Sequence, residues 1–204
     1  MKDHAFSQAM DVLRHGGTVA FPTDTVYGLG CDGLNTAAVR RVFTVKQRPL
    51  TMALPLLVSD LDMFRASVAS LPDTAVELIN AFMPGPLTLV LRKANGIPDE
   101  VTARGNTVAV RIPDHDIPRE LAKHLGGPVI GTSANRSGLP SPVTADEVRI
   151  QLGTGVDCII DGVCTRGLES TIVDLSGKAP VILRQGVLSA KSIEQVLGKT
   201  IPVR

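Results

Sequence analysis

Two pairs of polar side chains have the chemistry of an anion-binding site. Lys46 and Arg48 lie two residues apart, and Ser133 and Asn135, which follow the apolar run 128–131, have the same spacing. A guanidinium fork and a lysine point charge suit phosphate oxygens, and hydroxyl and amide groups can donate to phosphate or ribose. In extended backbone, residues two apart point to one side, so each pair predicts two polar groups on one face. The alternatives are a solvated helix end for the first pair and a polar turn for the second.

Two arginines occur in or at the end of apolar runs that are typical of strands. Arg111 interrupts the run 108–112, and strand alternation puts it on one face with Thr107 and Ala109. Arg184 ends the run 181–183. Because a buried cation is unstable without an anion, each arginine predicts a contact with a substrate carboxylate, a phosphate, or an acidic side chain of the chain itself.

Two further segments, 22–28 and 168–174, are rich in hydroxyl groups. Polar turns at strand ends would explain them equally well. Neither contains a nucleophile beside a base, which favours a site that positions and neutralises anions over covalent catalysis. The glycines at 28, 30 and 33 match a dinucleotide-binding pattern but do not directly follow a strand pattern, so they predict turns and tight backbone approach instead.

The elements that must position these side chains alternate irregularly between helix and strand patterns. Some neighbouring strand patterns, such as 87–91 and 108–112, lack a helix between them, which a purely parallel array would require. We therefore expect an α/β fold: a single domain over residues 1–204, with a twisted, open, mixed β-sheet flanked by helices. Helices are predicted near 4–15, 36–46, 73–82, 116–125, 144–152 and 189–197, and strands at 18–21, 55–58, 87–91, 108–112, 129–132, 158–160, 171–175 and 181–183.

Composition narrows the class of partner. The 204 residues carry a net charge of +1, with 3% aromatic residues and no tryptophan, so neither bulk attraction to nucleic acid nor a base-stacking platform is indicated. The apolar stretches are too short to cross a bilayer as a helix, so no membrane partner is expected. Three cysteines without metal-like spacing are typical of reduced thiols in a cytoplasmic protein.

Seven segments, taken in order, resemble the YrdC/TsaC family of threonylcarbamoyl-AMP synthases. The likeness spans nearly the whole chain and is closest to the short form of the family, without an additional C-terminal domain. The segments are PTDTVYGLG at 22–30, KQRP at 46–49, PGPLT at 84–88, VAVRIPDH at 108–115, TSANRSG at 132–138, ESTIVD at 169–174 and LRQG at 183–186.

This resemblance implies a concave cavity and an enzyme that condenses L-threonine, bicarbonate and ATP into threonylcarbamoyl-AMP and pyrophosphate. The product serves threonylcarbamoyladenosine modification of tRNA through partner proteins. At the matching positions, Lys46 and Arg48 would be catalytic and would hold the nucleotide phosphate with Ser133 and Asn135. Further expected contacts to the nucleotide come from Thr107, Ser141 and Arg184, and to threonine from Thr25, Arg111 and Ser170.

Mg²⁺ bridging the ATP phosphates is expected, without a dedicated cluster of carboxylate ligands. The loop after Arg48 departs from common family patterns at Met52, Ala53 and Leu57, so no ligand contacts are assigned there. Two other functions compete: a relative that forms carbamoyl-adenylate from carbamoyl phosphate, and a non-catalytic module that binds tRNA on a concave face.

Overall fold

The computed structural model of the chain describes residues 2–204, in which seven helices flank ten short strands. Among these residues, no helix is long and apolar enough to span a bilayer. The helices are α1 (Lys2–Arg14), α2 (Thr36–Lys46), α3 (Leu61–Ser67), α4 (Asp73–Phe82), α5 (Asp116–Leu125), α6 (Ala145–Leu152) and α7 (Ala190–Leu197). The strands are β1 (Val19–Phe21), β2 (Gly28–Gly30), β3 (Leu56–Leu57), β4 (Leu87–Arg92), β5 (Thr107–Arg111), β6 (Val129–Ile130), β7 (Thr132–Ser133), β8 (Cys158–Ile159), β9 (Thr171–Asp174) and β10 (Val181–Arg184).

The predicted mixed α/β fold is confirmed, with the strands divided between two sheets. One sheet has the order β7-β2-β1-β8 and the other β10-β9-β4-β5-β3-β6. Parallel pairs β1–β8, β3–β5 and β4–β9 occur beside antiparallel pairs in both sheets. Short antiparallel connections and long parallel crossovers therefore coexist, as the uneven spacing of the strand patterns indicates.

The segment 129–133 joins the two sheets. Val129 and Ile130 pair with β3 of the larger sheet, and Thr132 and Ser133 pair with β2 of the smaller one. Gly131 lies at the crossing, where an added Cβ would come within 2.2 Å of the Leu57 side chain. A side chain at 131 would thus force the sheets apart, and its absence allows Ser133 to reach the space that both sheets border.

Some elements differ from the sequence prediction; the single strand predicted at 129–132, for example, is divided at Gly131 into β6 and β7. Residues 28–30 form β2 instead of a turn. Glycine permits the close packing of this strand, since an added Cβ at Gly30 would lie 2.2 Å from the Ile130 carbonyl oxygen and one at Gly28 would lie 2.8 Å from the Phe21 ring. The close approach of backbone that the glycines predict is present, but it occurs within a strand. Helix α3 was not predicted; it is one short segment capped by Asp60, whose carboxylate accepts from the Met63 amide at 2.9 Å.

Packing in the core fixes which face of β5 points toward the cavity. Val108 and Val110 are buried in the main apolar cluster, while Ala109 and Arg111 line a cavity on the opposite face. Strand alternation predicts this division correctly. Helix α6 begins with a capping box, in which the Thr144 hydroxyl accepts from the Glu147 amide and the Glu147 carboxylate accepts from the Thr144 amide.

Candidate functional site

A concave cavity of about 510 Å³ is bordered by strands of both sheets, within the usual size range of small-molecule sites. Its charged lining residues, among those described, are four cations and one carboxylate. Nine of the ten residues predicted as site residues line it. The nine are Thr25, Lys46, Arg48, Arg111, Ser133, Asn135, Ser141, Ser170 and Arg184.

Lys46 and the 133–135 segment meet directly, although they are 87 residues apart in the chain. The Lys46 side chain is only 1% exposed, and its Nζ donates to the carbonyl oxygen of Ser133, to the carbonyl oxygen of Asn135 at 2.8 Å and to Asn135 Oδ1 at 3.1 Å. The Ser133 hydroxyl donates to the same Oδ1 at 2.6 Å. Lys46 of the first predicted pair and both members of the second thus form one network, in which neutral oxygens hold the lysine charge.

The backbone at Lys46 differs from the extended geometry that the spacing suggested. Lys46 ends α2, and Gln47 adopts a left-handed conformation with φ 52°. The Arg48 amide donates to the Phe43 carbonyl oxygen at 2.9 Å, which closes the helix end and turns the chain. Arg48 reaches the cavity because of this turn, and Lys46 lies at a helix end that is buried instead of solvated.

Arg48 brings a second cation close to Lys46. Its Nη2 donates to the Ala53 carbonyl oxygen at 3.0 Å, and its buried Nε has no partner among the described residues. Burial and the Arg48 charge lower the pKa of Lys46 to about 7. Burial, and then the charge of Arg184, lower the pKa of Arg48. Cations from both sides of the cavity therefore repel one another, and a bound anion would relieve this repulsion.

Arg111 also lines the cavity, in the part called here the Arg111 end, and is held by three partners. Its Nε donates to the Gly85 carbonyl oxygen at 2.9 Å, its Nη1 to the Thr25 hydroxyl at 3.0 Å and its Nη2 to Asp24 Oδ1 at 2.5 Å. Asp24 and Arg111 are 1% and 5% exposed, so this is a buried ion pair. Of the anions considered for Arg111, this structure contains the acidic side chain of the chain itself.

Arg184 is also paired within the chain. Its Nη1 donates to Glu169 Oε2 at 2.7 Å, and its Nε and Nη2 donate to the Ser170 carbonyl oxygen at 3.1 and 2.9 Å. Glu169 Oε1 accepts from the Ser141 hydroxyl at 2.7 Å. The Ser170 hydroxyl lies 2.9 Å from that of Thr88. This wall of the cavity therefore combines one guanidinium group with several hydroxyl groups.

Thr107 is the predicted site residue that the structure does not bring to the cavity. It lies opposite Arg92 at the start of β5, about 13 Å of strand from Arg111 at 3.3 Å per residue. Alternation gives the correct face of the strand but does not indicate how far along it the cavity extends.

Several residues of the site were not singled out from the sequence. Asp24, Gly85 and Glu169 orient the two paired arginines. The loop after Arg48, which was left without an assignment, contributes Met52 and Ala53 to the lining. A carboxylate beside two threonines in the segment 22–28 was the available signal for Asp24, but its arginine partner is 87 residues away in sequence.

Known proteins share this fold and sequence. A family model covering Sua5, YciO and YrdC, described as "Telomere recombination", matches residues 11–186. A threonylcarbamoyl-AMP synthase of Pyrococcus abyssi is 42% identical over 94% of this chain and 56% of its own length. One of Bacillus subtilis is 39% identical over 96% of this chain and 57% of its own length. The chain thus spans little more than half the length of these two relatives.

A solved structure agrees with the sequence comparison. The crystal structure of P. abyssi Sua5 complexed with L-threonine superposes with a TM-score of 0.95 at 40% identity, covering 100% of this chain and 60% of that one. The resemblance predicted from seven short segments is confirmed over nearly the whole chain. The chain belongs to the Sua5/YciO/YrdC family.

Proposed function

We propose that this protein is an L-threonylcarbamoyladenylate synthase, an ATP-dependent nucleotidyltransferase that condenses L-threonine, bicarbonate and ATP and releases pyrophosphate. The observation that carries the proposal is the meeting of Lys46 with Ser133 and Asn135 in one cavity, with Arg48 and Arg184 close enough to perturb each other electrostatically. The relatives named threonylcarbamoyl-AMP synthase and the L-threonine complex of Sua5 support the choice of substrates.

The cationic end of the cavity would bind ATP. Lys46 and Arg48 would stabilise negative charge on the phosphates, and Ser133 and Asn135 would fix their orientation. Because the Lys46 ammonium already donates to three oxygens, it would act mainly through its charge and by bracing the 133–135 segment. Ser141 and Arg184 line the adjacent wall and would contact the rest of the nucleotide.

Arg111, which is paired with Asp24, would bind the amino acid. Arg111 retains one N–H on each terminal nitrogen after its contacts with Thr25 and Asp24, so it can still offer two donors to the L-threonine carboxylate. Thr25 and Ser170 add hydroxyl groups nearby. Geometry does not support a contact from Thr107, and we leave it out of the proposed site.

The reaction then needs no nucleophile from the protein. The threonine amino group and bicarbonate give a carbamate and release water; a carbamate oxygen then forms a bond to the α-phosphorus of ATP, and the bond to pyrophosphate breaks. The side chains hold the reactants in line and stabilise charge on the phosphoryl oxygens. Mg²⁺ would accompany ATP, held mainly by phosphate oxygens and water because Glu169 is the one carboxylate among the described lining residues.

We further propose that residues 1–204 form one YrdC-like domain that acts in the cytoplasm and supplies the adenylate to tRNA-modification proteins. Both sheets contribute to the same cavity, which supports one domain. The three cysteines are free thiols, as is usual in a reducing compartment.

Pyrophosphate release with each component omitted in turn tests this function. We expect release only when ATP, L-threonine and bicarbonate are all present, and a product with the mass of threonylcarbamoyl-AMP. Turnover with carbamoyl phosphate in place of threonine and bicarbonate would identify a carbamoyl-adenylate-forming enzyme instead. A salt-dependent tRNA shift without any turnover would identify an RNA-binding module.

A further inference from the structure

Glu169 contributes negative charge to a cavity whose other charged lining groups, among the described residues, are Lys46, Arg48, Arg111 and Arg184. A carboxylate repels the phosphates that these cations attract. The Glu169 charge interacts with the cationic end of the cavity, because it partly opposes the lowering of the Lys46 pKa. A site selected only for tight binding of a polyanion would exclude such a group.

The contacts of Glu169 engage two donors that the cavity offers to ligands. One carboxylate oxygen accepts from the Ser141 hydroxyl and the other from Arg184 Nη1, each at 2.7 Å. Both oxygens therefore compete with a phosphate for the same donors. Ser141 and Arg184 lie on different segments of the chain, and the carboxylate links them along one wall of the cavity.

Arg184 does not depend on this carboxylate for its position. Its Nε and Nη2 both donate to the Ser170 carbonyl oxygen, which would remain after Glu169 is changed. The backbone at 169 is fixed separately, since the Glu169 carbonyl oxygen accepts from the Val187 amide at 3.0 Å. Bracing alone therefore does not account for the negative charge.

We propose that Glu169 is an internal counter-anion of the cationic end of the cavity. Its negative charge lowers the affinity of this end for polyphosphate, so that pyrophosphate leaves readily. This inference rests on the proposed function, and in it Glu169 acts by its charge and by occupying donors of Ser141 and Arg184. It requires no bond to form or break beyond the exchange of hydrogen-bond acceptors.

Calorimetric titration with inorganic pyrophosphate, with adenosine as an uncharged probe, tests the inference. Glu169→Gln keeps the size and one acceptor but removes the charge, and it should bind pyrophosphate about tenfold tighter while adenosine binding is unchanged. The matched control is Glu100→Gln, which removes a carboxylate that pairs with Arg40 outside the cavity and should leave both affinities as they are. A melting curve establishes that each variant is folded, and Glu169→Ala provides a second variant without the charge.

Unchanged or weaker pyrophosphate binding by Glu169→Gln would overturn the inference, as would absence of pyrophosphate binding by the unmodified protein. Weaker binding only when Mg²⁺ is present would instead make Glu169 a metal ligand. The two proposals fail separately. Threonine-dependent turnover with no tightening in the variant removes the role of Glu169, whereas tightening without threonine-dependent turnover removes the proposed synthase and leaves the counter-anion.

Discussion

Lys46 and Arg111 both line the cavity, but they differ in the kind of partner that holds their positive charge. At the Lys46 end, Nζ is held by neutral oxygens of Ser133 and Asn135, so none of the described carboxylates pairs with it directly. At the Arg111 end, the guanidinium is paired with buried Asp24, so its charge is offset while its geometry is fixed. A polyanion such as ATP matches the first arrangement, and a zwitterion with no net charge matches the second.

The largest effect is expected from breaking the buried ion pair between Arg111 and Asp24. Asp24→Asn leaves the Arg111 charge in the interior without its counter-ion, and removal of one partner of a buried ion pair destabilises by about 3–5 kcal/mol. Urea unfolding at constant pH measures this loss. Asp62→Asn is the control, because Asp62 is 95% exposed in its contact with Arg65 and the unfolding midpoint should not move. A loss below about 1 kcal/mol for Asp24→Asn would mean that the pair does not organise this end.

Removing a cation at the Lys46 end should lower the catalytic rate more than it lowers the stability of the fold. Lys46→Met and Arg48→Ala should each lower threonine-dependent pyrophosphate release at least about 100-fold, the scale of losing one preorganised electrostatic group. Arg40→Ala is a suitable control, since Arg40 is exposed on the same helix and pairs with Glu100. Full activity in both cavity variants would remove their role at the phosphates.

A smaller change should separate the two ends kinetically. Arg111→Lys keeps a cation beside Asp24 but loses the planar fork that can bind a carboxylate through two nitrogens. We expect the KM for threonine to rise about tenfold and that for ATP to change less than about threefold. Steady-state titration of each substrate measures both values, and equal shifts would contradict a division of labour between the ends.

Local patterns in the sequence predict most of the helices and strands, and they predict which face of β5 is buried. Helix α2 and helix α5 begin and end where predicted, because their caps and apolar spacing are local signals. Strand β2 could not be predicted in the same way, since Gly28, Leu29 and Gly30 form a strand only where Phe21 and Ile130 approach closely. Tertiary contact, and not intrinsic propensity, decides that segment.

The candidate site shows the same division. Residue type and spacing predict two candidate anion-binding pairs, and the family resemblance assigns Lys46 and Ser133 to one phosphate site; the structure brings these two residues into contact. Neither the pairing of Arg111 with Asp24 nor that of Arg184 with Glu169 could be predicted, because any acidic residue of the chain was an equal candidate. The partner of a charged side chain is chosen by the fold, so sequence gives the need for an anion but not its identity.

A crystal structure with a non-hydrolysable ATP analogue and L-threonine tests the central claim most directly. The account predicts phosphate oxygens beside Lys46 and Arg48, and the threonine carboxylate within about 3 Å of Arg111 nitrogens. Phosphates seated at the Arg111–Asp24 end, or a nucleotide bound outside this cavity, would contradict it.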